Sequence, residues 1–166
     1  MVGTSGTAGN NDDPATIGAL VRALGETGRR AAPQEIARLR HCCADRVLPT
    51  DADPHLGTIV AYLTDKFSEH AREWPRSATV GDYLASLRAT VRYQRGGIRL
   101  YQHPTNAAWM LMFVGPARQW RGAAGGPHIV VLFNGERVFW VTGFQPPRSG
   151  LRYAANQGGQ WLKAPG

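Results

Sequence analysis

The feature of this sequence that most constrains its fold is a change of residue pattern at Gly96-Gly97. Before this point, apolar residues recur every three to four positions, which is the spacing of one face of a helix. After it, β-branched and aromatic residues dominate, and glycine and proline interrupt them, as is typical of short strands and turns. A run of helices followed by a run of strands predicts an α+β architecture, with helices packed on an antiparallel sheet.

Four helical segments are predicted before Gly96. Each apolar stripe begins at a capping residue or a proline and ends at a glycine, a proline or the change of pattern. The fourth segment also carries Thr79 and Asp82 at the spacing of a capping box. The predicted segments run from Asp13-Pro14 to Gly28, from Pro33 to Pro49, from Asp53-Pro54 to Pro75, and from Thr79 to Val91.

Four to five strands are predicted after Gly96. Asn134-Gly135 lies between the third and the fourth strand and indicates a tight hairpin, in which both central residues adopt positive φ. The predicted strands cover residues 98–103, 107–114, 128–133, 136–144 and 160–163.

The length of 166 residues fits one domain with a short tail. Residues 1–12 are small, polar and rich in glycine, so they are expected to form a disordered leader. The domain is then expected to cover residues 13–166, with a helical half over 13–95 and a β half over 96–166.

Several function classes are excluded by features that the sequence lacks. No run of about 18 apolar residues is present, so no membrane span is expected. The segment MVGTSGTAGNNDDP has neither a basic start nor an apolar run, so no secretory signal is expected. The predicted location is the cytoplasm, or a host cell into which the protein is delivered.

The cysteine and glycine patterns bear on cofactors. Cys42 and Cys43 are adjacent, so they cannot connect distant segments as a disulfide scaffold does. Together with His41 they make one cluster, whereas a zinc site needs two clusters at ligand spacing. The glycine-rich segments lack the pattern of a phosphate-binding loop. The sequence therefore predicts neither a metal nor a cofactor.

The net charge of +7 is unevenly distributed along the chain. Residues 1–82 carry nine Lys and Arg against eleven Asp and Glu, a balance of −2. Residues 83–166 carry ten bases against one acid, Glu136, a balance of +9. This asymmetry favours RNA or an acidic protein as a partner of the C-terminal half. A simple solvated cationic surface is the alternative.

The segment GGPHIVVLFNGERVFWVTGFQPP, residues 125–147, resembles the histidine hairpin of papain-like cysteine hydrolases. In that family, a glycine-rich turn precedes the catalytic histidine, and an apolar strand, a turn and a second strand follow it. A cysteine near the start of a helix comes earlier in the chain, and here Cys43 lies 85 residues before His128. The resemblance implies a papain-like arrangement and a peptidase, amidase or deamidase acting on a protein substrate. It also implies that the protein is an effector or a self-processing leader protein.

The resemblance also implies a role for each site residue. The nucleophile would be a cysteine, made into a thiolate by a histidine base. No acid lies about fifteen residues after His128, so an amide or a hydroxyl group would orient the imidazole. The assignments are Cys43, or alternatively Cys42, as nucleophile, His128 as base, Gln145 or Thr142 as orienting group, and Gln34 as oxyanion-hole donor.

A buried, unreactive thiol is the competing interpretation of Cys43. This residue shares a helical stripe with Ile36, Leu39 and Val47, so its side chain can belong to the core. A protein that keeps the hydrolase fold without its chemistry, and acts only through binding, is therefore a further alternative.

RNA binding is the main alternative function. Alternation along residues 98–103 places Arg99, Tyr101 and His103 on one face of a strand, where rings stack on bases and guanidinium groups contact phosphates. Arg137 would add a phosphate contact. In a ribonuclease variant of this hypothesis, His103 or His128 would act as acid or base.

Overall fold

The computed structural model describes the backbone of residues 13–47 and 56–166, and the side chains of 13–47 and 62–166. The predicted α+β class is confirmed, with five α-helices and a five-stranded antiparallel sheet among these residues. The predicted leader and the helix boundaries at Pro49 and Asp53-Pro54 lie outside the described residues. The helices are α1 (Pro14–Thr27), α2 (Pro33–Asp45), α3 (Leu56–His70), α4 (Val80–Arg92) and α5 (Gly150–Ala155). The strands are β1 (Gly97–Gln102), β2 (Trp109–Pro116), β3 (His128–Asn134), β4 (Phe139–Phe144) and β5 (Gln160–Lys163).

The strands lie in the order β4-β3-β2-β1-β5, and every neighbouring pair is antiparallel. Side chains alternate between the two faces of a sheet, so each strand contributes to two clusters. On the first face, Phe113, Val131 and Phe133 pack in the main core with side chains of α1 to α4. On the second face, Met112 and Val130 pack in a smaller cluster beneath α5.

Local signals in the sequence account for the helix starts. In α4, the predicted capping box is present: the Asp82 N–H donates to the Thr79 hydroxyl (3.1 Å), and the Thr79 N–H donates to the Asp82 carboxylate (2.9 Å). In α2, Pro33 occupies the first turn, and the Glu35 carboxylate accepts the Ala32 N–H at 2.8 Å.

The connection between β3 and β4 differs from the predicted tight turn. Four residues, 135–138, separate the strands, and neither Asn134 nor Gly135 has a positive φ; Val138 adopts it instead, at 53°. The Glu136 carboxylate accepts the backbone N–H of Trp109 (3.1 Å), which holds the turn against β2. This contact and the Asn134 side chain, which accepts the N–H groups of residues 136 and 137, stabilise a longer loop.

Helix α5 was not predicted. It has six residues, too few for an apolar stripe to repeat. Its start is capped by Ser149, whose hydroxyl accepts the Arg152 N–H at 3.3 Å. Leu151 and Ala154 pack on the second face of the sheet, so α5 covers part of a surface that would otherwise be apolar and open.

Candidate functional site

Cys43 lies in the main core. Its exposed fraction is 0%, and that of Cys42 is 3%. Cys43 is also near the C-terminal end of α2, whereas the N-terminal turn of a helix is the position that favours a thiolate. Burial raises the pKa of the Cys43 thiol well above its usual range. The structure therefore gives Cys43 the properties of a core residue.

His128 lies at the first position of β3, on the second face of the sheet. Its side chain is half-buried against Gly150, whose N–H donates to His128 Nδ1 at 3.0 Å. Burial lowers the pKa of this imidazole. Because Cys43 belongs to the core on the first face, the sheet separates the thiol from the imidazole. The structure therefore does not bring Cys43 and His128 together, as the predicted pairing requires.

The other residues of the predicted catalytic site have different partners. Gln145 is buried; its backbone N–H donates to Glu73 (2.6 Å), and its side-chain amide donates to the Trp120 carbonyl (2.7 Å). Thr142 is half-buried in β4, and Gln34 is exposed in the first turn of α2. Gln145 therefore ties β4 to the 3₁₀ turn after α3 and to the β2–β3 loop.

Thiol labelling tests the buried position of both cysteines. At neutral pH, a cysteine-directed electrophile is expected to react with folded protein far more slowly than with protein unfolded in denaturant, because both thiols must first be exposed. The measurement is the rate of mass increase of the two forms. Rapid labelling of one cysteine in the folded protein would contradict this expectation and support the hypothesis of a reactive thiol.

The structure separates the residues of the predicted RNA-binding face. The Arg99 guanidinium donates to the carbonyls of Ala155, Gly158 and Gly159 and lies 5.1 Å from the Trp161 ring centre. Tyr101 is 4% exposed, and burial raises its pKa to about 12. Arg99 and Tyr101 therefore stabilise the packing of the α5–β5 segment on the sheet. His103 accepts the Thr105 N–H, while Arg137 is exposed in the β3–β4 loop.

The exposed aromatic side chains lie on a different surface. Among the described residues, the large hydrophobic side chains that are exposed are Tyr62 (37%), Phe139 (55%) and Tyr153 (39%). All three lie along β4, which is an outermost strand of the sheet. Phe139 is its first residue, the Tyr62 hydroxyl donates to the Val141 carbonyl, and the Tyr153 ring lies 5.2 Å from the Phe144 ring.

Cationic side chains accompany these rings. The Lys66 ammonium lies 5.4 Å from the centre of the Tyr62 ring and 3.7 Å from a carboxylate oxygen of the exposed Glu69, so its ion pair is weak and can be exchanged for a phosphate. Arg137 and Arg152 are exposed and close in sequence to Phe139 and Tyr153. We call this surface the β4-edge strip. It contains Tyr62, Lys66, Phe139 and Tyr153, and the exposed Arg137 and Arg152 neighbour two of these rings in the chain.

A fixed histidine also lies at this edge. The His70 ring stacks on Phe144 with centres 5.7 Å apart, and its Nδ1 lies 2.8 Å from a Glu73 carboxylate oxygen. The second oxygen of Glu73 accepts the Gln145 N–H. A carboxylate at Nδ1 selects the tautomer that carries its proton there. Sequence reasoning missed this pair, although the spacing of i and i+3 on a helix was a detectable signal.

Comparisons with protein-family models, curated proteins and solved structures found no match to this chain. None of the helices in the described part of the chain is long and apolar enough to cross a membrane. Within residues 13–47 and 56–166, no group of three or more His, Cys, Asp or Glu side chains is placed to hold a metal ion.

Proposed function

We propose that the protein binds single-stranded RNA along the β4-edge strip. The observation that carries this proposal is that Tyr62, Phe139 and Tyr153 all lie along the same outermost strand, and that Lys66 lies over the Tyr62 ring. Exposed rings offer stacking surfaces to unpaired bases, and cations neutralise the phosphates that connect those bases.

The free energy expected from base stacking on the three rings is large enough for RNA binding. Stacking of one base on one aromatic ring contributes about 1–3 kcal/mol. Three rings therefore supply enough free energy for measurable binding when lysine and arginine add phosphate contacts. The excess of bases over acids in residues 83–166 attracts a polyanion over a longer range. The strip combines both contributions at one edge of the sheet.

The contacts favour this function over a papain-like cysteine hydrolase, which stays a prediction from resemblance. A hydrolase of that kind needs a thiol against an imidazole. Here Cys43 is sealed in the core on one face of the sheet, and His128 faces α5 on the other. An RNA-binding strip needs no nucleophile, so the burial of both cysteines is no objection to it.

Binding of a labelled RNA of about 12 nucleotides tests the proposal. Phe139→Ala and Tyr153→Ala are each expected to weaken binding by about fivefold to one-hundredfold, because each removes one stacking surface. Phe139→Leu is the matched control: leucine keeps an apolar side chain but offers no ring, so it is expected to weaken binding as alanine does. Fluorescence anisotropy gives the dissociation constants.

The salt dependence of RNA binding tests whether the cationic side chains contact phosphates. Arg137→Ala is expected to reduce the slope of log K against log salt by the amount that one phosphate contact contributes. Arg30→Ala removes an exposed arginine from the α1–α2 loop and is expected to leave the slope unchanged. Absence of RNA binding at low salt would refute the proposal, as would full binding by Phe139→Leu. Equal binding of a DNA of the same sequence would widen the ligand class to single-stranded nucleic acid.

A further inference from the structure

A groove of about 680 Å³ lies between α2 and β5. Because β4 and β5 are the two outermost strands, this groove is at the opposite edge of the sheet from the β4-edge strip. Its apolar lining comes from the start of α2, the loop before it, and β5. These apolar residues are Ala31, Pro33, Ile36, Ala37 and Leu162.

The rim of the groove is cationic. Arg92 and Lys163 line it together with Arg40 and His41, and no acidic side chain of the described residues contributes to the lining. Arg40 is buried and donates to backbone carbonyls, so its charge is already compensated by dipoles. Asp45 lies 3.4 Å from Arg92 and 3.7 Å from His41, but all three side chains are more than half exposed, so these contacts are weak. A carboxylate from a ligand can therefore replace Asp45 at low cost.

The edge of β5 adds a second recognition element. On its inner side β5 pairs with β1, and on its outer side no strand of the described chain pairs with it. Backbone N–H and C=O groups on such an edge can pair with an added strand. Leu162 is buried toward the groove, so an added strand would place alternate side chains over the same apolar floor.

We propose that this groove binds an extended, acidic peptide segment of a partner protein, which pairs with the outer edge of β5. Apolar side chains of the peptide occupy the floor, and its carboxylates contact Arg92 and Lys163. A nucleic acid fits this site less well, because no Phe, Tyr or Trp ring in the described part of the chain lines the groove to stack on bases. The proposal concerns a partner other than RNA and does not depend on the β4-edge strip.

Selection from a random-peptide display library on the intact protein tests this inference. The expected result is enrichment of peptides that alternate apolar and acidic residues. A synthetic copy of an enriched peptide is expected to bind at least about tenfold more weakly to the Arg92→Glu, Lys163→Glu double variant, because two attractive contacts become repulsive. Both residues have solvent access, so circular dichroism is expected to show an unchanged fold.

Two controls separate binding in this groove from a general attraction of acidic peptides to a basic protein. The double variant Arg76→Glu, Arg148→Glu makes the same change of charge at two exposed residues outside the groove and is expected to leave peptide binding unaltered. Methylation of alternate backbone nitrogens in the peptide is expected to abolish binding, because it removes the donors that pair with β5. Failure to enrich any peptide would overturn the proposal. Enrichment of basic peptides, binding insensitive to the double variant, or displacement of the peptide by RNA would also overturn it.

Discussion

Arg40→Met is expected to lower the free energy of unfolding by about 3 kcal/mol. The Arg40 guanidinium is buried and donates to the carbonyls of Val91 (3.1 Å), Gln94 (3.4 Å) and Gly96 (2.9 Å). These carbonyls belong to the last turn of α4 and to the segment that connects it to β1. A cation at the C-terminal end of a helix also interacts favourably with the helix dipole. Methionine fills much of the same space but leaves all three acceptors without this donor.

Urea denaturation followed by circular dichroism measures this loss. Arg40→Lys keeps the charge but has fewer and differently placed donors, so an intermediate loss is expected. Arg30→Met is the surface control and is expected to change stability by less than about 0.5 kcal/mol. A loss below about 1 kcal/mol for Arg40→Met would show that the carbonyls find other donors.

Gly18→Ala is the second substitution with a large expected effect, a loss of about 2–3 kcal/mol. Gly18 lies in α1 where the helix meets the β3–β4 loop. A Cβ at this position would lie 2.0 Å from the Glu136 carbonyl oxygen, which is backbone and cannot rotate away. Either α1 or the loop must move, and the Glu136 contacts with Arg22 and the Trp109 N–H would be disturbed.

Gly81→Ala is the matched control in a second helix. Its Cβ would lie 3.6 Å from the Thr79 hydroxyl, an ordinary contact, and the residue is exposed in α4. Alanine restricts the unfolded chain more than glycine does, so a gain of about 0.5–1 kcal/mol is expected. Thermal denaturation compares both variants with the parent protein. Equal changes in stability for the two variants would mean that the contact between Gly18 and the Glu136 carbonyl leaves room for a Cβ.

The elements of this fold could be predicted because their signals are local. The capping box at Thr79 and the proline at the start of α2 each act within one helical turn, and both marked helix starts correctly. The fifth strand, 160–163, also agrees with the structure. The turn after Asn134 could not be predicted, because a distant contact, from Glu136 to β2, determines its shape.

The candidate site could not be predicted, because it depends on which face of the sheet each segment covers. The apolar stripe of α2 did indicate a core position for Cys43, but nothing local in the sequence shows that His128 faces α5 on the other side of the sheet. The carbonyls that bind Arg99 lie more than fifty residues away along the chain. The β4-edge strip likewise combines side chains from α3, β4 and α5, so only the assembled tertiary structure reveals it.

The segment formed by α5 and β5 protects two parts of the sheet at once. It covers one face and completes the β1 edge. A form of the protein in which residues 150–163 have undocked would expose Met112 and Val130 to solvent, and β1 would present an unpaired edge. Such an edge can pair with another chain, so opening of this segment is the expected route to aggregation.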